Sequence, residues 1–195
     1  MTLTFSTMLE LGTAAPDFSL PDVVSGATIS PATFSDRKAL LVLFLCQHCP
    51  FVRHVQDDLA RLGRDYQQTV GIVGISSNDA DRYEDDRPER LKEWAIRCGF
   101  TFSVCFDGSQ SVAKAYTAAC TPDPFLFDEK RLLVYRGQLD DSRPGNGKPP
   151  TGRDIRAALD ATLAGKPADP VQRPSAGCNI KWKPGNAPAY FGVRA

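Results

Sequence analysis

The sequence predicts an α/β fold, a central mixed β-sheet flanked by helices with an N-terminal β-hairpin extension and an extended C-terminal tail. Three observations predict it. Residues 39–45 and 70–76 are near-continuous apolar runs of strand length, typical of parallel strands covered on both faces. Each run is followed by a segment of helical period or helix-start chemistry. Two short apolar runs, 125–127 and 132–136, flank the polar turn Asp128-Glu129-Lys130, which is the pattern of an antiparallel hairpin. Parallel strands joined by helices and finished by a hairpin make a mixed sheet with helices on both faces.

The elements follow in order. Asp17-Phe18-Ser19-Leu20 and Ala27-Thr28-Ile29-Ser30 flank a turn-rich stretch and read as the N-terminal hairpin. The run 39–45 leads straight into Cys46-Gln47-His48-Cys49-Pro50. Phe51, Val55, Leu59, Leu62 and Tyr66 then recur at helical spacing, with Arg53, Asp57, Asp58, Arg61 and Arg64 on the solvated side. Pro50 suits the first turn of that helix, where a missing N–H costs nothing. After the strand 70–76 comes a polar, acidic loop, 77–87. Pro88 opens a helix through Leu91, Trp94, Ala95 and Cys98 that Gly99 ends. A short strand at 102–106 and a helix at 110–119 follow, then Thr121-Pro122-Asp123-Pro124, which forces extended backbone. After the hairpin, Ile155, Ala158, Leu159 and Leu163 mark a last helix, 153–164, stopped by Gly165. Residues 1–165 thus make one domain. Residues 166–195 form a Pro/Gly-rich tail whose Cys178, Trp182, Tyr190 and Phe191 suit packing back on that domain.

Composition narrows function. The 195 residues carry 23 basic and 23 acidic side chains, so no basic surplus exists to neutralise phosphates and a nucleic-acid partner is not expected. The longest apolar run, 39–46, falls far short of the roughly 20 residues of a membrane span. Residues 1–12 show neither a basic nor a continuous apolar leader, so a cytoplasmic location is expected. In a reducing compartment six cysteines read as buried thiols, metal ligands or catalytic groups, not as a disulfide framework.

Cys46 and Cys49 form a Cys-x-x-Cys at a strand-to-helix junction. Unsatisfied N–H groups at a helix start and the helix dipole stabilise a thiolate, the attacking species in thiol–disulfide exchange. The expectation is an exposed, low-pKa Cys46 that attacks and a more buried Cys49 that resolves. A partly protonated His48 between them would favour the thiolate further and make the couple more oxidising; otherwise it is a solvent-facing residue of the first turn. Two other uses of the pair stand beside redox chemistry: inert thiols, or half of a zinc site. Zinc commonly takes four ligands from two close pairs, and there is no second Cys-x-x-Cys and no His-x-His, so no metal and no dissociable cofactor are expected.

Several segments together resemble the thioredoxin-like superfamily, and within it the peroxiredoxin-like branch of alkyl hydroperoxide reductase/thiol-specific antioxidant proteins. They are Ala15-Pro16-Asp17-Phe18-Ser19-Leu20, Phe44-Leu45-Cys46-Gln47-His48-Cys49-Pro50-Phe51-Val52, Ser76-Ser77-Asn78-Asp79, Thr121-Pro122-Asp123, Tyr135-Arg136-Gly137, Asp140-Asp141-Ser142-Arg143-Pro144-Gly145 and the tail Pro174-Ser175-Ala176-Gly177-Cys178-Asn179-Ile180-Lys181-Trp182. The resemblance implies that Cys46 and Cys49 are the redox pair. It also implies that Pro122 is the cis proline beside them, with the Thr121 backbone facing the sulfurs to receive a substrate. The chain departs from true peroxiredoxins in lacking the Pro-x-x-x-Thr-x-x-Cys loop, and Thr121-Pro122-Asp123 stands where their arginine would precede the strand. Arg136 and Arg143 are the available substitutes.

Cys120 and Cys178 are candidate accessory thiols, for packing or for resolving a species on Cys46, while Cys98 and Cys105 read as core. Asp140, Asp141 and the acids Asp79, Asp81, Glu84, Asp85 and Asp86 read as turn caps or solvated loop, His54 as helix surface, and Trp94 and Trp182 as packing anchors. The implied activity is a thiol–disulfide oxidoreductase acting on a protein or small-molecule disulfide or thiol, with an unidentified reductant. A thiol-dependent peroxidase and a non-enzymatic redox-sensing module are the alternatives.

Overall fold

The computed structural model describes residues 3–192; the last three residues of the tail and the first two of the chain lie outside the described residues. In chain order the elements are β1 (Leu3–Phe5), β2 (Leu20–Pro21), β3 (Thr28–Ile29), β4 (Ala39–Phe44), α1 (Pro50–Tyr66), β5 (Val70–Ser76), α2 (Pro88–Cys98), β6 (Ser103–Phe106), α3 (Ser111–Ala115), β7 (Cys120–Thr121), β8 (Asp123–Phe127), β9 (Leu133–Arg136), α4 (Arg153–Leu163) and β10 (Ala176–Asn179). The central sheet has five strands in the order β6-β5-β4-β8-β9. β4, β5 and β6 run parallel, and β8 and β9 are antiparallel, so the sheet is mixed. Every residue of β4 and β5 is buried, which is why both read as unbroken apolar runs.

Alternation along β4 divides the core into two layers. Leu41 and Leu43 face α1, α2 and α4, packing with Val52, Val55, Leu59, Trp94, Ile155 and Leu159. Leu40, Val42 and Phe44 face the other way, against Phe18, Leu20 and Ile29 of the β2–β3 hairpin region, Val112 of α3 and Tyr116 just beyond it. The second layer is therefore covered largely by the hairpin. The helix expected over 110–119 shrinks to five residues, because Thr117 takes φ +51° and turns the chain away. On α1 the buried side is centred on Val52, Val55, Leu59 and Leu62, with Phe51 and Tyr66 only partly covered. Asp58, expected in solvent, is buried under α4 and held by Arg61 at 3.0 Å and Arg156 at 3.7 Å. α2 ends at Gly99, whose φ of +65° suits a residue without Cβ. Among the described residues no helix is long and apolar enough to cross a membrane.

The tail carries a strand. β10 lies between β1 and β7, with Cys178 opposite Thr121 and Asn179 opposite Cys120. Ala176-Gly177-Cys178-Asn179 has no β-branched or aromatic residue, so its composition gives no strand signal. Backbone contacts supply what side chains do not. The chain continues past β10 with Ile180 N–H donating to Ala119 O (3.1 Å), Lys181 N–H donating to Asn78 Oδ1 (2.8 Å) and Asp79 N–H donating to Lys181 O (2.8 Å).

Two expected outcomes test this packing. A Cβ on Gly177 would sit 1.9 Å from the Thr121 carbonyl oxygen. Gly177→Ala should therefore destabilise by about 1–3 kcal/mol in urea unfolding, the usual cost of overpacking; an unchanged midpoint would mean that β10 yields. Asp123 is fully buried, and burial pushes its carboxyl up to about 7, with the backbone N–H groups of Ala119 and Cys120 only partly opposing. Between about pH 4 and 7 the folded chain keeps a proton that the unfolded chain releases, so stability falls as pH rises through that window. Asp123→Asn should remove that slope from a pH series of melting temperatures.

Candidate active site

β4 delivers the motif to the carboxyl edge of the sheet, where Leu45 N–H still donates to Ile75 O at 2.9 Å. A turn over Gln47 and His48 follows, and Cys49, in extended conformation, is the N-cap of α1 with Pro50 at its first position. The helix thus begins one residue after the motif. Cys46 is three residues upstream of the cap, and the backbone N–H of Val52 in the first turn reaches Cys49.

That placement corrects two expectations. Cys46 is not an exposed end: it is 1% accessible and Cys49 is 0%, because the Thr121 turn and the segment around Asp86 close over them. The low-pKa sulfur is Cys49. The Cys46 thiol donates to it, and with help from Thr121, Cys178 and the Val52 N–H this outweighs burial and lowers Cys49 to about 5. Cys46 is pushed up by burial, by its donation to Cys49 and by the nearby Asp86 carboxylate.

Thr121 holds both sulfurs. Its Oγ1 lies 3.3 Å from Cys46 Sγ, and its carbonyl oxygen lies 3.2 Å from Cys49 Sγ. The Thr121–Pro122 peptide is cis, and Ser175 Oγ donates to Pro122 O at 2.6 Å. Through the β7–β10 pairing the tail brings Cys178 against Cys49, not Cys46; burial and donation to Cys49 push its thiol up to about 12. Cys120 points away, toward Pro122 O (3.7 Å) and Ser175 O (3.9 Å), and burial foremost raises its thiol. Cys105 is core, and Cys98, half-buried, donates to Gln56 Oε1 at 3.5 Å. All six cysteines are thiols.

His48 is not a solvent-facing residue. Its Nδ1 lies 2.7 Å from Asp86 Oδ2, and its ring stacks on Tyr83 with centroids 5.4 Å apart. Asp86 is fully buried and accepts from Gln47 N–H (3.1 Å) and Asn78 Nδ2 (2.7 Å). This carboxylate, expected in a solvated loop, is the residue that reading along the chain missed. The signal was topological: loops following the carboxyl ends of adjacent parallel strands share one crevice, and 77–87 follows β5 beside β4. Asp140 caps its loop. Burial acts to raise its carboxyl, but N–H groups of Thr151, Ser142 and Gly152 hold it below the ordinary value. His54 is partly buried and pairs with Ser142 Oγ at 2.6 Å. Arg136 is bound to Leu9 O and Gln172 Oε1, and Arg143 to Gln138 Oε1 and the carbonyls of Asp140 and Ser142, so these hydrogen bonds engage neither redox-motif sulfur. Trp94 is buried in the first layer, and Trp182 packs partly buried on the second.

Comparison with known proteins agrees with this architecture. An uncharacterized conserved protein from Geobacillus kaustophilus superposes with a TM-score of 0.92 at 50% identity, covering 94% of this chain and 98% of that one. A hypothetical protein from Sinorhizobium meliloti 1021 gives 0.91 at 50% identity, with 93% and 100% covered. A thiol:disulfide interchange protein of the thioredoxin family from Chlorobium tepidum TLS gives 0.61 at 19% identity over 79% of this chain and 98% of that one, which shows a shared thioredoxin-like fold. No curated protein matches. The model of the AhpC/TSA family matches residues 11–136, from ahead of the β2–β3 hairpin to the end of β9. With that match spanning the redox motif and the cis-proline turn, the chain belongs to the AhpC/TSA family of thioredoxin-like redox proteins.

Proposed function

We propose that this protein is a thiol–disulfide oxidoreductase that exchanges electrons through Cys46 and Cys49. The observation that carries this is the Cys46–Cys49 pair, one sulfur 3.3 Å from the Thr121 hydroxyl and the other donating to the Thr121 carbonyl of the cis turn. When Cys49 loses the proton it donates to Thr121 O, Cys46 S–H donates to the resulting thiolate. When a substrate disulfide approaches, the proton passes to Cys49 and the new Cys46 thiolate, facing the Thr121 hydroxyl, attacks one substrate sulfur and expels the other as thiolate. Cys49 gives its proton to that thiolate, attacks Cys46 Sγ and releases the second substrate sulfur as a thiolate, which takes its proton from water. One protein thiol and one protein thiolate are oxidised to a disulfide, and one substrate disulfide is reduced, with that added proton, to two thiols. A reductant of the dithiol class reverses the process. The exchange itself needs no dissociable cofactor, and a cytoplasmic setting, where thiols are kept reduced, suits it.

Cys178 has an accessory role here. Its thiolate can attack Cys49 Sγ of the Cys46–Cys49 disulfide, moving the bridge inward and freeing Cys46. Family membership favours one second activity, peroxide reduction by the same sulfurs, which would proceed without help from Arg136 or Arg143.

Reduction of insulin disulfides should be readily measured, and Cys46→Ser or Cys49→Ser should each lower it by more than about 100-fold. Peroxide consumption on the same preparation separates the peroxidase reading. Activity in neither assay, with a reversible disulfide, would leave a redox sensor. Thiolate absorbance of the reduced, chelator-treated protein should rise with pH through a midpoint near 5 and lose that step in Cys49→Ser. If the step survives in that variant, the charge sits elsewhere. His48→Ala should make the couple more reducing, and an unchanged potential removes His48 from redox tuning. Mass spectrometry of diamide-treated Cys46→Ser should find Cys49 bonded to Cys178; two intact thiols would exclude the accessory role.

A further inference from the structure

Cys46, His48 and Asp86 come from two loops at one edge of the sheet, and one donor atom from each lies within 4.8 Å of the other two. Cys46 and Asp86 are almost completely buried, and His48 is largely so. His48 Nδ1 lies 2.7 Å from Asp86 Oδ2 without a hydrogen bond of good geometry. Nitrogen and oxygen donors this close, with Cys46 Sγ beside them, are disposed to converge on a third centre. The carboxylate is already oriented: Asn78 Nδ2 and Gln47 N–H donate to its two oxygens, and Asn78 is itself fixed by the Lys181 N–H of the tail. Tyr83 stacks on the imidazole and fixes its plane. Outer contacts of this kind commonly orient metal ligands.

We propose that the reduced protein binds one divalent ion of the zinc class through Cys46 Sγ, His48 Nδ1 and Asp86 Oδ2, with Cys49 Sγ as the fourth donor. Donors at ordinary zinc distances are about 3.3–3.8 Å apart around a tetrahedron, so small side-chain rotations bring Cys46, His48 and Asp86 into place, while Cys49, outside that close group, must swing toward it. The mixture of sulfur, nitrogen and oxygen selects a borderline-soft ion over calcium or magnesium, which take oxygen. The ion also relieves the unfavourable meeting of a buried carboxylate with a sulfur that must lose its proton to act. Binding displaces the thiol protons, so it strengthens as pH rises. It is exclusive with oxidation. When a substrate disulfide takes two electrons from Cys46 and Cys49, the new protein disulfide removes both thiolate donors, the ion leaves, and the two substrate thiolates released take their protons from water. The site is a redox-released metal store or an inhibitory plug on the same sulfurs.

The test uses the reduced, metal-free full chain with zinc titrated against a chromophoric chelator. One equivalent should bind, none should bind after diamide oxidation, and a phosphine reductant should restore binding. His48→Ala and Asp86→Asn should each weaken affinity by at least about tenfold, while Cys98→Ser should not. Equal affinity in wild type and His48→Ala would mean a plain dithiol complex and would overturn the site, as would failure to bind one equivalent. Because Asp86 is buried and its variant can misfold, cobalt(II) loading of the wild type gives an independent readout. Thiolate-to-cobalt charge transfer with intense tetrahedral d–d bands, altered by His48→Ala, is the expected result; octahedral cobalt bands would refute it. Insulin reduction measured with chelator present is separate, so loss of the metal site and loss of the exchange activity are distinguishable.

Discussion

The backbone pairing of residues 176–181 is the constraint on which the Cys46–Cys49 end of the sheet depends. β10 bonds to β7 on one side and β1 on the other, so the first and last strands of the described chain meet at the cis turn. Gly177 can approach Thr121 only because it has no side chain there. Ser175 binds the Pro122 carbonyl, and Lys181 binds Asn78 and Asp79. One extended segment thereby fixes the turn that touches both sulfurs and the start of the loop that carries Asp86.

Within that frame the electrostatics follow from which groups face each sulfur. Cys49 is lowered foremost by the Cys46 thiol, then by Thr121 and Cys178, and least by the Val52 N–H of the first turn, for its side chain does not cap the helix. Cys46 meets a carboxylate instead. With Cys49 lowered and Cys46 raised, the charge of a deprotonated pair falls on the inner sulfur. A single proton hop moves that charge outward, and the Thr121 hydroxyl is positioned to meet it.

The sheet and the major helices were legible because they obey simple periods. β4 and β5 are unbroken apolar runs, α1 and α4 have clear stripes, and Pro88 and Gly99 mark the ends of α2. The redox motif and Thr121-Pro122 were legible because their residue types are distinctive. Three features were not. β10 is built from Ala, Gly, Cys and Asn, and its stability lies in backbone partners distant in sequence. Asp86 looks like any other acid in an acidic loop until strand adjacency carries it under His48. The burial of Cys46 depends on segments some 40 and 75 residues away along the chain, which no local window contains.

That burial has a kinetic meaning. With both sulfurs at 1% accessibility or less, a macromolecular partner cannot reach them in the resting fold, and the structure must open locally before the first bond is made. In the proposed exchange a large substrate would meet two competing clocks, reclosure and capture. When reclosure is faster, rate grows with substrate concentration; when capture is faster, it levels off at the opening frequency. A small disulfide that slips through partial openings meets a lower threshold. The same sealed chamber can thus sort partners by size and by persistence of encounter, in a chain whose overall charge is zero and attracts neither sign.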